Sequence, residues 1–176
     1  MILKLVKSPS PILKKPVEPV KKVDRKITTL IADMIETLSV QTDPEGVGLA
    51  APQVGVSLAI FIVRISRKHK ATAYINPEIL KLEKKIKSKS KKKSTALEGC
   101  LSVDRIWSPI YRQQRVQLSF TDIKGEKHVK WFEGFDSVIV QHEMDHLNGI
   151  LFTQRAVEQG KKLYEEYDGE LNEIKI

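Results

Sequence analysis

The sequence contains one cysteine, few aromatic residues and no long apolar run. With Cys100 alone, no disulfide can form within the chain, so a hydrophobic core must hold the fold. No segment approaches the roughly 18 consecutive apolar residues of a membrane span. The first residues also lack the apolar core and small-residue cleavage site of a secretory signal peptide. At 176 residues, 41% hydrophobic and 30% charged, the chain is typical of one globular domain, residues 1–176. We expect a cytoplasmic protein that does not bind membranes.

The positive charge of the chain is concentrated in one tract. Residues 81–93 contain eight lysines and one glutamate, which is +7 of the net charge of +8. The remainder is nearly neutral, which argues against a basic fold that binds nucleic acid along one face. We predict a solvated lysine-rich loop at 81–93, because runs of like charge repel one another and stay in solvent.

Hydrophobic periodicity predicts an α+β fold with mainly antiparallel sheets. Residues 115–121 alternate between apolar and polar side chains, and a turn at 122–125 joins them to a second strand. Strands therefore occupy the middle of the chain, and helices lie towards its ends. The Pro-rich residues 1–22 are expected to form an extended surface arm. The predicted helices are an N-terminal one at 25–40 capped by Asp24, a central one at 133–148, and a C-terminal one at 156–170.

The strongest chemical signal is the sequence His142-Glu143-Met144-Asp145-His146, inside the predicted central helix. Four residues advance a helix by about 400°, so both imidazoles lie on one face and can bind the same metal ion. Glu143 lies beside them, where its carboxylate can exchange a proton with water. Buried carboxylates next to a histidine pair would be costly without a cation. The pattern therefore indicates a metal site rather than two histidines packed in a core.

A metal site of this kind needs a third protein ligand, and the sequence leaves its identity open. Phe152 occupies the position of the third histidine in one extended protease motif. A late glutamate completes the site in another class of zinc protease. Cys100 is the remaining candidate, because its thiolate would complete a site of two histidines and one cysteine. The late glutamates available are Glu165, Glu166 and Glu170.

Three segments together resemble the signature motifs of the peptide deformylase family. They are GVGLAAPQVG at 46–55, EGCLS at 98–102 and QHEMDHLNG at 141–149, in that order. The resemblance covers essentially the whole chain up to about residue 155. It implies a metal-dependent hydrolase that removes the formyl group from the N-terminal formyl-methionine of new proteins and releases formate. The cofactor it implies is one divalent metal, Fe²⁺ natively, with Zn²⁺, Ni²⁺ or Co²⁺ as substitutes.

The resemblance also implies a role for individual residues. Glu143 would act as general base and then general acid. The side-chain amide of Gln53 and the backbone N–H of Leu101 would stabilise the oxyanion. The backbones of Val47 and Gly48 would pair with the extended substrate. The implied metal ligands are Cys100, His142 and His146, and the implied lining of the methionine pocket is Phe135, Val138 and Ile139.

The chain departs from the family pattern at the edge of the implied substrate groove. Val103-Asp104 replaces the usual apolar residue and proline, residues 105–109 match no familiar pattern, and Gln154 replaces an acidic residue.

Two other functions remain as alternatives. One is a zinc protease with a late glutamate ligand. The other is an RNA- or ribosome-binding module that uses Lys81–Lys93. The expected partners are formyl-methionine nascent peptides and, through that tract, the ribosome surface near the tunnel exit.

Overall fold

The computed structural model describes residues 1–43, 45–65, 69–83 and 97–174. These residues form three α-helices, nine strands and two short 3-10 helices, Pro11–Lys14 and Ala51–Val54. The helices are α1 Arg25–Ser39, α2 Phe135–Leu147 and α3 Phe152–Glu158. The strands are β1 Gly48–Ala50, β2 Ile60–Val63, β3 Thr72–Glu83, β4 Leu97–Cys100, β5 Val103–Pro109, β6 Arg115–Thr121, β7 Lys127–Glu133, β8 Leu163–Tyr167 and β9 Glu170–Ile174. None of the described helices combines the length and hydrophobicity of a membrane span.

The strands form two sheets in which every paired neighbour is antiparallel. One sheet has the order β1-β2-β3-β6-β7, and the other has the order β4-β5-β8-β9. This arrangement confirms the predicted α+β class. Strands β1 and β4 each lie at the end of their sheet, so each leaves one backbone edge unpaired with another named strand.

Helix α2 packs against the five-stranded sheet and forms the centre of the molecule. Its apolar residues Val140 and Met144 join Phe61, Tyr74 and Leu118 in one buried cluster. Burial on this scale fixes the helix and therefore the side chains that it carries. Helix α1 packs on a neighbouring cluster, and its predicted cap is confirmed. The carboxylate of Asp24 accepts a hydrogen bond from the Ile27 backbone N–H at 3.0 Å.

The predicted range of the C-terminal helix is wrong. A helix is present, but α3 ends at Glu158, and residues 163–174 form the hairpin β8–β9. Gly160 has φ +61° just beyond the end of α3. Asp168 and Gly169 both have positive φ, as a tight hairpin turn requires. Strand β8 pairs with β5, so tertiary contacts favour strand over helix in this segment.

The N-terminal arm is partly buried and is hydrogen-bonded to segments of the implied site. Leu13 is fully buried, and two backbone hydrogen bonds hold loops of the implied site. Val6 N–H donates to the Gln53 carbonyl, and Ser8 N–H donates to the Ser102 carbonyl, each at 2.8 Å. Of the predicted lysine loop, 81–83 belong to β3 and 84–93 lie outside the described residues.

Candidate metal and catalytic site

Helix α2 and strand β4 bring together the three side chains implied as metal ligands. His142 and His146 lie one turn apart, and their ring centroids are 5.0 Å apart. Cys100 Sγ lies 3.3 Å from His146 Nε2, and one ligand atom from each of the three residues lies within 4.8 Å of the others. A tetrahedral site with bonds of about 2.0–2.3 Å places its ligands about 3.5 Å apart. The trio therefore has the spacing of a metal site.

Glu98 sets the orientation of the first histidine. Its Oε2 lies 3.0 Å from His142 Nδ1, which leaves Nε2 as the ring atom available to a metal. Burial alone would raise the pKa of Glu98, but hydrogen bonds from His142 and Arg112 lower it to about 2. Glu98 is therefore a carboxylate at neutral pH.

Behind Glu98 lies a buried network of charges. Arg112 donates to both oxygens of Glu98, at 2.9 Å each, and a third N–H donates to Asp145. Arg155 also donates to Asp145 at 2.7 Å. The Asp145 carboxylate in the helix motif is thus neutralised by two arginines rather than by a metal. Sequence reasoning missed Glu98, Arg112 and Arg155, because no local spacing connects them. The available signal for a partner of the metal ligands was Glu98 itself, which lies two residues before the candidate ligand Cys100.

Glu143 is a buried carboxylate beside the trio. Its Oε2 makes no hydrogen bond within the part of the chain that the structure describes, so this oxygen is available to a water or a substrate. Burial raises the pKa of Glu143 to about 7. A group that titrates near neutrality can both accept and return a proton. A methyl group at Gly48 would collide with this carboxylate, so the glycine makes room for Glu143.

Gln53 is held rigidly, unlike a solvated loop residue. The residue is 2% exposed, and its Oε1 accepts a hydrogen bond from Ala50 N–H at 2.9 Å. This bond directs the Nε2 amide towards Ser102 Oγ, at 3.2 Å, and Cys100 Sγ, at 3.5 Å. A side-chain N–H donor therefore lies at the edge of the metal trio.

A cavity of about 240 Å³ brings most of the predicted residues together. Cys100, His142 and Glu143 lie in its wall, and His146 is buried behind them. Phe135 is half exposed, whereas Ile139 is buried. Trp107 also lines this cavity, and sequence reasoning gave it no role. The other predicted residues in the lining are Val47, Gly48, Gln53, Leu101 and Val138.

The electrostatics of the site fit a cation. Burial lowers the pKa of His146 well below its ordinary value, which keeps the imidazole neutral, as a metal ligand must be. Around His142 burial acts in the same direction, but hydrogen bonds with Cys100 and Glu98 and the nearby charge of Glu143 outweigh it and raise the pKa of His142. Two imidazoles and one cysteine sulfur are a donor set that suits Zn²⁺ or Fe²⁺. The residues present fit a divalent metal.

Comparison with known proteins identifies the family. A sequence profile of the polypeptide deformylase family matches residues 2–162. A peptide deformylase of Dictyoglomus turgidum is 40% identical over 159 residues, which cover 90% of this chain and 95% of that protein. The crystal structure of peptide deformylase from Thermotoga maritima aligns with a TM-score of 0.76 at 35% identity, covering 88% and 97% of the two chains.

A third comparison includes a bound peptide. The class I type b peptide deformylase of Acinetobacter baumannii, solved with Met-Ala-Ser bound, aligns with a TM-score of 0.75 at 33% identity. The alignment covers 88% of this chain and 98% of that one. Members of the family depend on a metal, in agreement with the Cys/His/His group described above. The chain therefore belongs to the polypeptide deformylase family and is a hydrolase that removes the N-formyl group from the N-terminal formyl-methionine of newly synthesised proteins.

Proposed function

We propose that Cys100, His142 and His146 hold one divalent metal, Fe²⁺, and that Glu143 moves the protons of the reaction. The observation that supports this assignment is the buried Glu143 carboxylate, which lies in the same cavity wall as Cys100 and His142. When bound, the metal would supply Lewis acidity and lower the pKa of water.

Glu143 would act twice in each turnover. It accepts a proton from the water whose oxygen attacks the formyl carbon. It then delivers that proton to the amine nitrogen as the carbon–nitrogen bond breaks, and formate leaves. The balance is one water consumed, one amide bond hydrolysed and one free amino group formed. A pKa of about 7 suits Glu143 to both transfers.

Gln53 and Leu101 would stabilise the charge that develops on the formyl oxygen. The bond from Ala50 N–H to Gln53 Oε1 orients the amide, so its Nε2 is already in place when charge appears. The Lys7 ammonium donates to the Leu101 carbonyl at 2.8 Å and anchors the peptide unit that follows the one with the Leu101 N–H. Preorganised donors of this type stabilise the transition state more than mobile donors do, because they need no rearrangement during the reaction.

The substrate peptide would lie between the free edges of β1 and β4. Val47 and Gly48 line the cavity on one side, and Gly99 and Cys100 line it on the other. An extended peptide can pair with an unpaired strand edge through its backbone. The methionine side chain would occupy the apolar part of the cavity. The residues proposed for that part are Phe135, Val138 and Ile139.

The test combines metal content with product formation. Protein purified without oxygen should contain about one iron per chain and release formate from formyl-Met-Ala-Ser. The Cys100→Ala variant should lose both metal and activity. A zinc protease with a late glutamate ligand would keep its metal in that variant. Of the late glutamates, Glu166 on β8 accepts a hydrogen bond from the Trp107 indole, which weakens this alternative for that residue.

Oxygen sensitivity gives an independent check of the ligand set and the metal. An iron-loaded preparation should lose activity in air or peroxide as iron and the Cys100 thiolate oxidise, and nickel or cobalt should slow that loss. Full activity through prolonged aeration of the iron enzyme would contradict ligation by Cys100.

We further propose that the protein works in the cytoplasm and meets its substrate at the ribosome. The charge of 81–93 supports this, since long-range attraction to phosphate raises encounter rates and is screened over about 8 Å at physiological salt. A variant with Lys89, Lys91, Lys92 and Lys93 changed to Ser should pellet less with ribosomes at low salt. It should still cleave a short peptide normally. Equal pelleting at every salt concentration would overturn the proposal.

A further inference from the structure

Residues 6–8 of the N-terminal arm hold both segments that carry the proposed oxyanion donors. The Val6 N–H donates a hydrogen bond to the Gln53 carbonyl at 2.8 Å. The Nζ of Lys7 donates to the Leu101 carbonyl, also at 2.8 Å. The arm therefore joins the short helix that carries one donor to the turn that carries the other.

Leu101 and Ser102 form the two-residue turn between β4 and β5, which is closed by the pairing of Cys100 with Val103. Both carbonyls of this turn accept hydrogen bonds from the arm. The Ser102 carbonyl accepts from the Ser8 N–H at 2.8 Å, and the Leu101 carbonyl accepts from the ammonium described above. Each residue of a turn has two soft backbone dihedrals, so its peptide units rotate unless such contacts hold them.

The contact made by Lys7 orients two N–H groups of the site. The carbonyl that Lys7 holds shares its peptide unit with the Ser102 N–H, which donates to Cys100 Sγ at 3.4 Å. A planar unit turns as one body, so fixing the carbonyl also fixes this N–H towards the candidate metal ligand. The Leu101 N–H lies in the preceding unit, between Cys100 and the fixed unit. Its direction therefore depends on the same contact.

The charge and surroundings of Lys7 suit it to hold this turn. Hydrogen bonds from a charged donor are shorter and stronger than those between neutral groups. Asp104 on β5, one of the departures from the family pattern, forms a salt bridge with the same ammonium and keeps it beside the turn. The Lys7 and Asp104 side chains are 46% and 68% exposed, whereas Leu101 and Ser102 are buried. A pair at the surface thus fixes a turn in the interior.

We propose that Lys7 is a positioning residue for the hydrolysis. Its ammonium keeps the β4–β5 turn in the orientation that directs the Leu101 N–H to the formyl oxygen and the Ser102 N–H to Cys100. The inference rests on the proposed function, in which Leu101 is an oxyanion donor. Among the described residues, the lining of the active-site cavity does not include Lys7, so it acts through the turn and not on the substrate. Its effect arises as charge develops on the formyl oxygen, and it should therefore appear in kcat rather than in KM.

The first test replaces Lys7 and measures kcat and KM separately. Formate release from formyl-Met-Ala-Ser is followed per bound metal in Lys7→Met, which keeps an unbranched side chain but loses the ammonium. We expect kcat to fall about 5- to 30-fold, less than the loss of a whole oxyanion donor, with KM within about twofold of wild type.

Three further variants test whether the cationic donor is responsible. Lys7→Arg keeps a cationic N–H donor and should restore kcat to within about threefold of wild type. Asp104→Asn weakens an exposed pair but leaves the bond to the turn, so kcat should fall by about twofold at most. Lys4→Met is the matched control, because Lys4 is an exposed lysine on the same arm. Its kcat and KM should equal those of wild type.

Hydrogen exchange examines the turn without any turnover. In zinc-loaded protein, the backbone N–H groups of Leu101 and Ser102 should exchange about fivefold faster in Lys7→Met than in wild type, because their turn opens more often. The N–H of Val140, in the core of α2, should exchange at the same rate in both proteins.

The outcomes separate this inference from the proposed function. An unchanged kcat in Lys7→Met, or a loss confined to KM, would overturn the inference alone. Equal exchange at Leu101 and Ser102 in the two proteins would also overturn it, as would an equal loss of kcat in Lys4→Met. No formate from the wild-type protein, with metal bound, would overturn the proposed residue roles and the inference together.

Discussion

Glu98 and His142 are 44 positions apart in the chain, yet Glu98 Oε2 lies 3.0 Å from His142 Nδ1. This contact joins strand β4, which also carries Cys100, to helix α2, which carries both histidines. It fixes the ring orientation of His142 and leaves Nε2 for the metal. Arg112 in turn holds both oxygens of Glu98, so the position of one candidate ligand depends on a buried charge network.

Replacing Glu98 should weaken metal binding. In Glu98→Gln the side chain keeps its size but loses its charge, so His142 loses its anionic partner. We expect metal affinity to fall about 10- to 100-fold, as is usual for such outer partners. Competition with a chelator measures this. Glu133→Gln is the control, because Glu133 forms a similar but exposed pair with Arg115. Equal metal affinities in Glu98→Gln and Glu133→Gln would contradict the role of Glu98 in orienting His142.

Removing the Glu143 carboxylate should separate metal binding from catalysis. Glu143 is proposed to move protons and not to bind the metal, so Glu143→Ala and Glu143→Gln should retain about one metal per chain. Turnover should fall by about 10²- to 10⁴-fold. Metal analysis and formate release on the same preparation check both parts. If the metal disappears with the activity, Glu143 has been given the wrong role.

Loss of Arg112 should reduce stability strongly. Its guanidinium lies between Glu98 and Asp145, and all three side chains are at most 9% exposed. In Arg112→Met, Glu98 would lose its arginine and Asp145 would keep only Arg155, with a cost of about 3–5 kcal/mol in the free energy of unfolding. Arg115→Met, which breaks two exposed pairs, should cost about 1 kcal/mol or less. Urea denaturation of metal-free proteins measures the difference, and similar costs would contradict this account.

Tyr74 should make stability fall at high pH. Burial raises its pKa to about 12, and Asp136 adds to this, whereas the unfolded chain has a tyrosine pKa of about 10. The folded state therefore holds this proton more tightly. Its contribution to stability is fully present below about pH 10 and is lost as pH rises through about 12. The difference in unfolding free energy between wild type and Tyr74→Phe should shrink over that interval. Tyr167→Phe, which removes an exposed hydroxyl, is the control variant.

The two histidines proposed as metal ligands could be predicted from the sequence alone, because their signal is local. A helical period places His142 and His146 on one face whatever the rest of the fold does, and α2 confirms that helix. Alternation predicted the β6–β7 hairpin for the same reason. The three motifs then identified the family, since their residues recur in a fixed order.

Tertiary structure decided the features that depend on distant partners. Residues 163–174 have charged and apolar positions that suit either a helix or a hairpin, and pairing of β8 with β5 selects the hairpin. The packing of sheet against helix brings Glu98, Arg112 and Asp145 into one network. The spacing of these residues along the chain does not predict that they are in contact. The same is true of Trp107. Its place beside the active-site cavity follows from a bond to Glu166, 59 positions later, which exists only because the chain folds back as a strand.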